Sequence, residues 1–134
     1  MHHNPAKQIV PVTRLSKPQG VWSVAVAATP GRMIFVSGLL AKDETGAIVG
    51  VGDIAAQTDQ VLKNLQQALS GANATLADIV RVDVYVRDIS QFAEIHAVRK
   101  RYFPEDPPAS TMVEVSRLTD DRCLIEVTAI AVVP

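Results

Sequence analysis

The chain has 134 residues, 48% hydrophobic but only 4% aromatic, which fits one compact domain, residues 1–134, built on small aliphatic side chains. Lys and Arg total 13 against 14 Asp and Glu, and the net charge of -1 argues against nucleic acid or a membrane surface as a partner. One cysteine, Cys123, cannot close an intrachain disulfide, and three histidines cannot fill a thiolate-rich metal site.

Met1-His2-His3-Asn4-Pro5 lacks the apolar core of a signal peptide, and the His2-His3 pair is expected in a disordered end. No apolar run is long enough to span a bilayer, so a cytoplasmic protein is expected. Ile9-Val10, closed by Pro11, predicts an edge strand. Val21 to Ala27 alternates, stops at Thr29-Pro30-Gly31-Arg32, and is expected to form an antiparallel hairpin with Met33 to Ser37. A polar loop, Lys42 to Gly46, separates Leu39-Leu40-Ala41 from the short run Ala47-Ile48-Val49.

Asp53 is the natural N-cap of a first helix whose apolar stripe is Ile54, Val61, Leu65 and Leu69, with Gln57, Asp59, Lys63 and Gln67 on the wet side. Gly71 is the expected stop. Ile79 to Arg87 has a period of two: Val80, Val82, Val84 and Val86 face one way, Arg81, Asp83, Tyr85 and Arg87 the other. Ser90 is placed as the cap of a second helix reaching about Phe103, with Phe92, Ile95, Val98 and Tyr102 buried. Strands are predicted at Thr111 to Arg117 and Cys123 to Val133. The order implies an α+β plan with both helices on one face of a mixed sheet. The last strand and Met33 to Val36 are apolar on both faces, and two helices cover only one. The second face is therefore expected to pack against copies of the chain, making a homo-oligomer.

Glu126 is the only charged residue after Arg122 and sits in an apolar strand. Two readings stand open: an ion pair with Arg81, Arg87 or Arg117, or a working carboxylate whose pKa is tuned by its surroundings. His96, beside the apolar stripe of the second helix, either satisfies a local hydrogen bond or serves a site. Arg99-Lys100-Arg101 complements the helix dipole. Trp22 reads as core or interface, and Cys123 as inert packing. Ser37-Gly38 either closes a strand or lets a ligand approach the backbone. Gly50-Val51-Gly52-Asp53 matches the relaxed dinucleotide fingerprint but lacks its acidic residue, so these glycines read as turn residues. No phosphate loop, nucleophile elbow or metal-ligand spacing is present.

The chain resembles the Rid family, also called YjgF or reactive-intermediate deaminase. The likeness spans nearly the full length and rests on Phe35-Val36-Ser37-Gly38, Asp53 to Thr58, Val84-Tyr85-Val86-Arg87-Asp88, Pro108-Ala109, Val113 to Leu118, and Ile125 to Ala131. The resemblance implies a chorismate-mutase-like α+β fold, a homotrimer with clefts between subunits, and hydrolysis of small enamines or imines without a cofactor. It implies that Glu126 activates water, and that Ser37, Gly38, Trp22, His96 and Met112 line the site. Deaminating members carry an arginine for the substrate carboxylate where this chain has Ser110, which puts 2-imino acid deamination in doubt. Ser110 to Val115 is similar to the branch found with aromatic ring cleavage, including 2-aminomuconate deaminase, and His96 or Arg99 could supply polar contacts instead. The competing expectation is a non-catalytic, metabolite-binding or chaperone-like trimer. The ribonuclease label of some relatives has little support in a near-neutral, aromatic-poor chain.

Overall fold

A computed structural model describes residues 3–134 of the chain. Met1 and His2, part of the expected disordered end, lie outside the described residues. From Asn4 onward the terminus is docked. The Asn4 side chain is buried, donates to Asp78 Oδ1 at 2.9 Å and to the Val132 carbonyl at 2.7 Å, and accepts from the Ala6 N–H.

The elements in chain order are β1 (Lys7–Ile9), β2 (Val26–Ala28), β3 (Arg32–Leu39), α1 (Ile54–Ser70), β4 (Ile79–Val86), α2 (Phe92–Tyr102), β5 (Ala109–Glu114) and β6 (Ile125–Val133). The main sheet runs β3-β6-β4-β5. β6 is antiparallel to both of its neighbours, and β5 runs parallel to β4 as an edge strand. Both helices lie on one face, so the expected α+β plan with a mixed sheet is the observed one.

The core is a layer of small aliphatics between helices and sheet. Ile54, Val61, Leu62, Leu65 and Leu69 of α1 meet Val82, Val84 and Val86 of β4 and Ile125, Val127, Ala129 and Ala131 of β6. Each fully buried leucine or valine stabilises by about 1.5–3 kcal/mol, so this layer outweighs any surface pair in the molecule.

Several local expectations are corrected. β2 pairs with β1 and not with β3, whose partner is β6, so the hairpin across Thr29 to Arg32 does not form. Only Val26 to Ala28 of the Val21–Ala27 run and its neighbour is extended in a ladder, and Trp22 lies in a loop. A register shift between Ile79 and Arg81 puts Ile79 in the core and leaves Val80 half-buried. Gly71 does stop α1 as expected, capping it with an ordinary φ of -61, and the left-handed residue comes two positions later, Asn73 at φ 56. Asp88, not Ser90, is the capping side chain: it accepts from the Ser90 N–H ahead of a 3-10 turn, and α2 starts at Phe92, which is 37% exposed.

Gln57 leaves the wet side altogether. It is fully buried, donating from Nε2 to the Arg122 carbonyl at 2.8 Å and accepting the Leu124 N–H at 2.7 Å. A buried amide satisfied at both ends fixes the turn that feeds β6, and so fixes where Glu126 stands. Gly50 and Gly52, at φ 68 and 76, turn the chain into the Asp53 cap, as expected of turn residues.

Candidate active site

Glu126 lies on β6, the strand flanked by β3 and β4, and pairs in register with Tyr85. Alternation puts Val127 and Ile125 into the core and turns Glu126 to the face that the helices leave open. That face carries Phe35 at 70% exposure and Met33 at 54%. The carboxylate is half-buried, and among the described residues it has no ion pair: Arg81 is bound to Asp83 and Arg117 to Asp121. The ion-pair reading of Glu126 is therefore corrected, because those guanidiniums are engaged along their own strand or turn. Arg87 makes no ion pair with it either. Glu126 instead lines an open cavity of about 370 Å³ with Tyr85, Val115, Arg117, Leu118 and Thr119.

The register between β3 and β6 jumps from Val36 opposite Ala129 to Leu39 opposite Val127. Three steps on one strand face two on the other, so Ser37-Gly38 forms a bulge outside the ladder. The Glu126 carboxylate lies directly against Gly38, where a β-carbon would collide with it. The group against Gly38, one residue before the end of β3, is thus the chain's own Glu126 side chain.

A second group of polar residues stands elsewhere. Trp22 and Ser110 share a cavity of about 420 Å³ at the β5 edge with Lys17 and Arg81. His96 meets Trp22 edge-on at 5.8 Å between ring centres and stacks on Phe92 at 3.9 Å. Its pKa is lowered, first by burial and then by the neighbouring Arg99 charge, and the Phe92 carbonyl one turn earlier opposes this only weakly. Neither imidazole nitrogen makes a hydrogen bond of normal geometry among the described residues. Met112 is half-buried, in register with Val84, and packs against the core; it lines neither cavity.

Arg99, Lys100 and Arg101 all stand in the last turn of α2, as the dipole reading has them, but they do not share one environment. Lys100 and Arg101 are exposed, but Arg99 is 3% exposed and donates from Nη2 to the Val21 carbonyl at 3.1 Å and to Ser110 Oγ at 3.0 Å. The signal was present in the spacing, since position 99 falls four residues after Ile95 on the buried stripe. Cys123 is buried with a raised pKa, chiefly from burial, which keeps it an unreactive thiol. Among the described residues no three His, Cys, Asp or Glu side chains are grouped to hold a metal ion, and no helix is long and apolar enough to cross a membrane.

One chain does not bring the two groups together. Ser110 is in register with Val82 on the helix side of the sheet, whereas Glu126 is on the open side two strands away. Strand spacing alone separates them by about 10 Å, before the thickness of the sheet is counted.

These features define a class: a small α+β protein with two helices backing a mixed sheet, whose open face carries a lone carboxylate at a glycine bulge. A sequence model of the family described as Endoribonuclease L-PSP matches residues 13–133. The chain belongs to this family, that of the Rid and RutC proteins. It is 44% identical over 127 residues to a RutC family protein of Pyrococcus abyssi, covering 94% of this chain and 97% of that one. It is 37% identical over 105 residues to a protein of Acinetobacter baylyi named 3-aminoacrylate deaminase RutC, covering 78% of this chain and 82% of the relative. A Rid-family crystal structure from Yersinia pestis superimposes with a TM-score of 0.88 at 33% identity, covering 96% and 99% of the two chains. RidA from an Antarctic Psychrobacter superimposes with a TM-score of 0.72 at 27% identity, covering 94% and 99%.

Proposed function

We propose that this protein hydrolyses reactive enamines or imines without a cofactor, with Glu126 activating water in a cleft completed by a second copy of the chain in a homotrimer. The observation that carries the reading is the Glu126 carboxylate, free of ion pairs among the described residues and seated at the Ser37-Gly38 bulge on an open apolar face. The kinship with a protein named 3-aminoacrylate deaminase supports this reaction class. An enamine first tautomerises to the imine. Water adds to the protonated C=N carbon while Glu126 takes one of its protons, and the carboxyl returns that proton to the amine. The C–N bond then breaks as the hydroxyl oxygen becomes the carbonyl, and its proton leaves with ammonia as ammonium. A second copy closing over this open cavity would exclude bulk water from the reacting carbon.

The favoured substrate is 2-aminomuconate or a related ring-cleavage amine, on the likeness of Ser110 to Val115. Ser37, Gly38, Trp22, His96, Ser110 and Met112 are the proposed binding residues. Met112 has the weakest support, since its side chain packs into the core. Ammonia release by the purified protein from 2-aminomuconate and from 2-aminoacrylate, wild type beside Glu126→Gln, tests the mechanism. The variant is expected to lose about 100-fold or more with its fold intact. Equal rates would remove Glu126 from the chemistry. A non-catalytic binding role is the second reading, favoured by the neutral Ser110 in the cavity wall; ligand-induced thermal shifts without ammonia release would establish it.

A further inference from the structure

A further cavity, of about 250 Å³, lies between β1 and the chain that follows α2, and it shares no lining residue with the cavities of Glu126 and Ser110. Ile9 of β1, Leu76 and Ala77 of the 3-10 turn Leu76–Asp78, and Phe103 and Pro104 after α2 give it apolar walls. Lys7 lines it from β1 and is half-buried. Its Nζ donates to the Asp106 carbonyl at 2.8 Å and to the Ala77 carbonyl at 3.3 Å, so one nitrogen is held from two sides. A lysine nitrogen has four tetrahedral positions. Its carbon takes one and these bonds take two, which leaves one position over. Loss of a proton costs neither bond, because the neutral amine still has two N–H groups to give. Burial lowers the Lys7 pKa from its ordinary value of 10.5, against the opposing charges of Asp106 and Asp78. The nucleophilic amine therefore forms more readily here than on an exposed lysine.

We infer that Lys7 is a carbonyl-capturing residue, whose amine condenses with a small neutral aldehyde while the apolar body of that aldehyde fills the cavity. The nitrogen lone pair forms the new C–N bond and the carbonyl oxygen takes up a proton. The C–O bond of this adduct then breaks, and water leaves with the aldehyde oxygen and both amine protons. The neutral imine thus needs no co-reactant. Protonated from solvent, it carries one N–H, which serves the closer Asp106 carbonyl and gives up the longer bond to Ala77. Glu105 and Asp106 belong to the same lining and supply carboxylates for moving these protons. Their negative charge, with that of Asp78, favours a cationic link and disfavours an anionic carbonyl compound, which is why the class is a neutral aldehyde. The other titratable groups of the lining are His3 and Tyr102, and the Tyr102 hydroxyl is committed to Asp59. Nothing in this inference rests on the hydrolase reading of Glu126.

Lys17, Lys42, Lys63 and Lys100 are exposed and serve as controls within the same chain. The full-length protein is treated at neutral pH with butanal or with formaldehyde, in the presence of cyanoborohydride to reduce each imine to a stable amine. Alkylation of each lysine is then followed by peptide mass spectrometry. Butanal is expected to alkylate Lys7 about tenfold faster than the controls, and formaldehyde, which has no apolar body to bury, only about threefold faster. Ala77→Leu, which fills the cavity, should abolish the preference of butanal for Lys7 and leave that of formaldehyde. A thermal melt establishes that this variant folds; if it does not, the contrast between the two aldehydes in the wild type carries the test. Equal alkylation of Lys7 and the controls by both aldehydes would overturn the inference. So would a preference for Lys7 no larger with butanal than with formaldehyde, which marks a reactive amine without a receiving cavity. A butanal preference that survives in folded Ala77→Leu would overturn it as well.

Discussion

The carboxylate of Glu126 occupies the place where a β-carbon on Gly38 would stand, which sets it against the bulge in β3. Gly38→Ala would push the end of a flexible side chain, not the backbone, so the cost to stability is expected to stay within about 1 kcal/mol. The cost to function is larger, because a catalytic group displaced by an ångström loses alignment; ammonia release should drop about tenfold with Tm nearly unchanged. A rate equal to wild type would show that the carboxylate does not need its present seat. The sequence marks Glu126 by contrast, one charge in a run of aliphatics. It does not mark Arg99 equally well, because a cation at a helix end has a simpler use on the dipole. Only the helical spacing from Ile95 shows that position 99 points inward, and a period of 3.6 says nothing about which partner, here Ser110, receives it.

On the scale of elements, α2 and the loop before β2 depend on each other through His96 and Arg99. The imidazole is packed between Trp22 and Phe92 and is held neutral by burial and by the Arg99 charge. Its pKa in the folded chain lies below the ordinary 6.5, so on acidification the unfolded chain takes up the proton first. Stability contributed by the neutral ring is full above that ordinary value and is lost as pH falls through it towards the folded value. Melting wild type and His96→Gln at about pH 7.5 and about pH 5 should show a larger fall in Tm for the wild type. Parallel falls would mean that His96 does not resist protonation. Alternating and 3.6-residue patterns made both helices and β4, β5 and β6 legible, because each buries one face and shows it in the chain. The strand pairing was not legible in the same way. Val26 to Ala28 could have joined β3 through a short turn, and the choice of β1 instead is set by tertiary contacts such as Thr29 N–H to the Ala6 carbonyl. Gln57 was misplaced for a related reason: polar residues default to solvent, and nothing in the helix pattern shows two backbone groups of the β6 turn waiting for an amide.

Taken as a whole, the molecule has one covered sheet face and one open one, and the open one holds both Phe35, more exposed than Phe92, and the candidate catalytic carboxylate. Under the proposed function, the site on that open face is completed by another copy of the chain. The aliphatic excess visible in the composition has its place here, split between the layer under α1 and the bare surface around Met33 and Phe35. Because Glu126 and Ser110 stand on opposite sides of the sheet, the account requires that they meet across an interface, each from a different copy. Mixing two defective proteins tests this directly. Glu126→Gln retains the Ser110 cavity, and Ser110→Glu, whose new carboxylate would neutralise Arg99, retains Glu126. Refolded together in equal amounts, they should form mixed oligomers in which about a quarter of the clefts combine two intact surfaces, restoring ammonia release towards a quarter of the wild-type rate. A mixture no more active than the sum of its parents would contradict a site shared between copies.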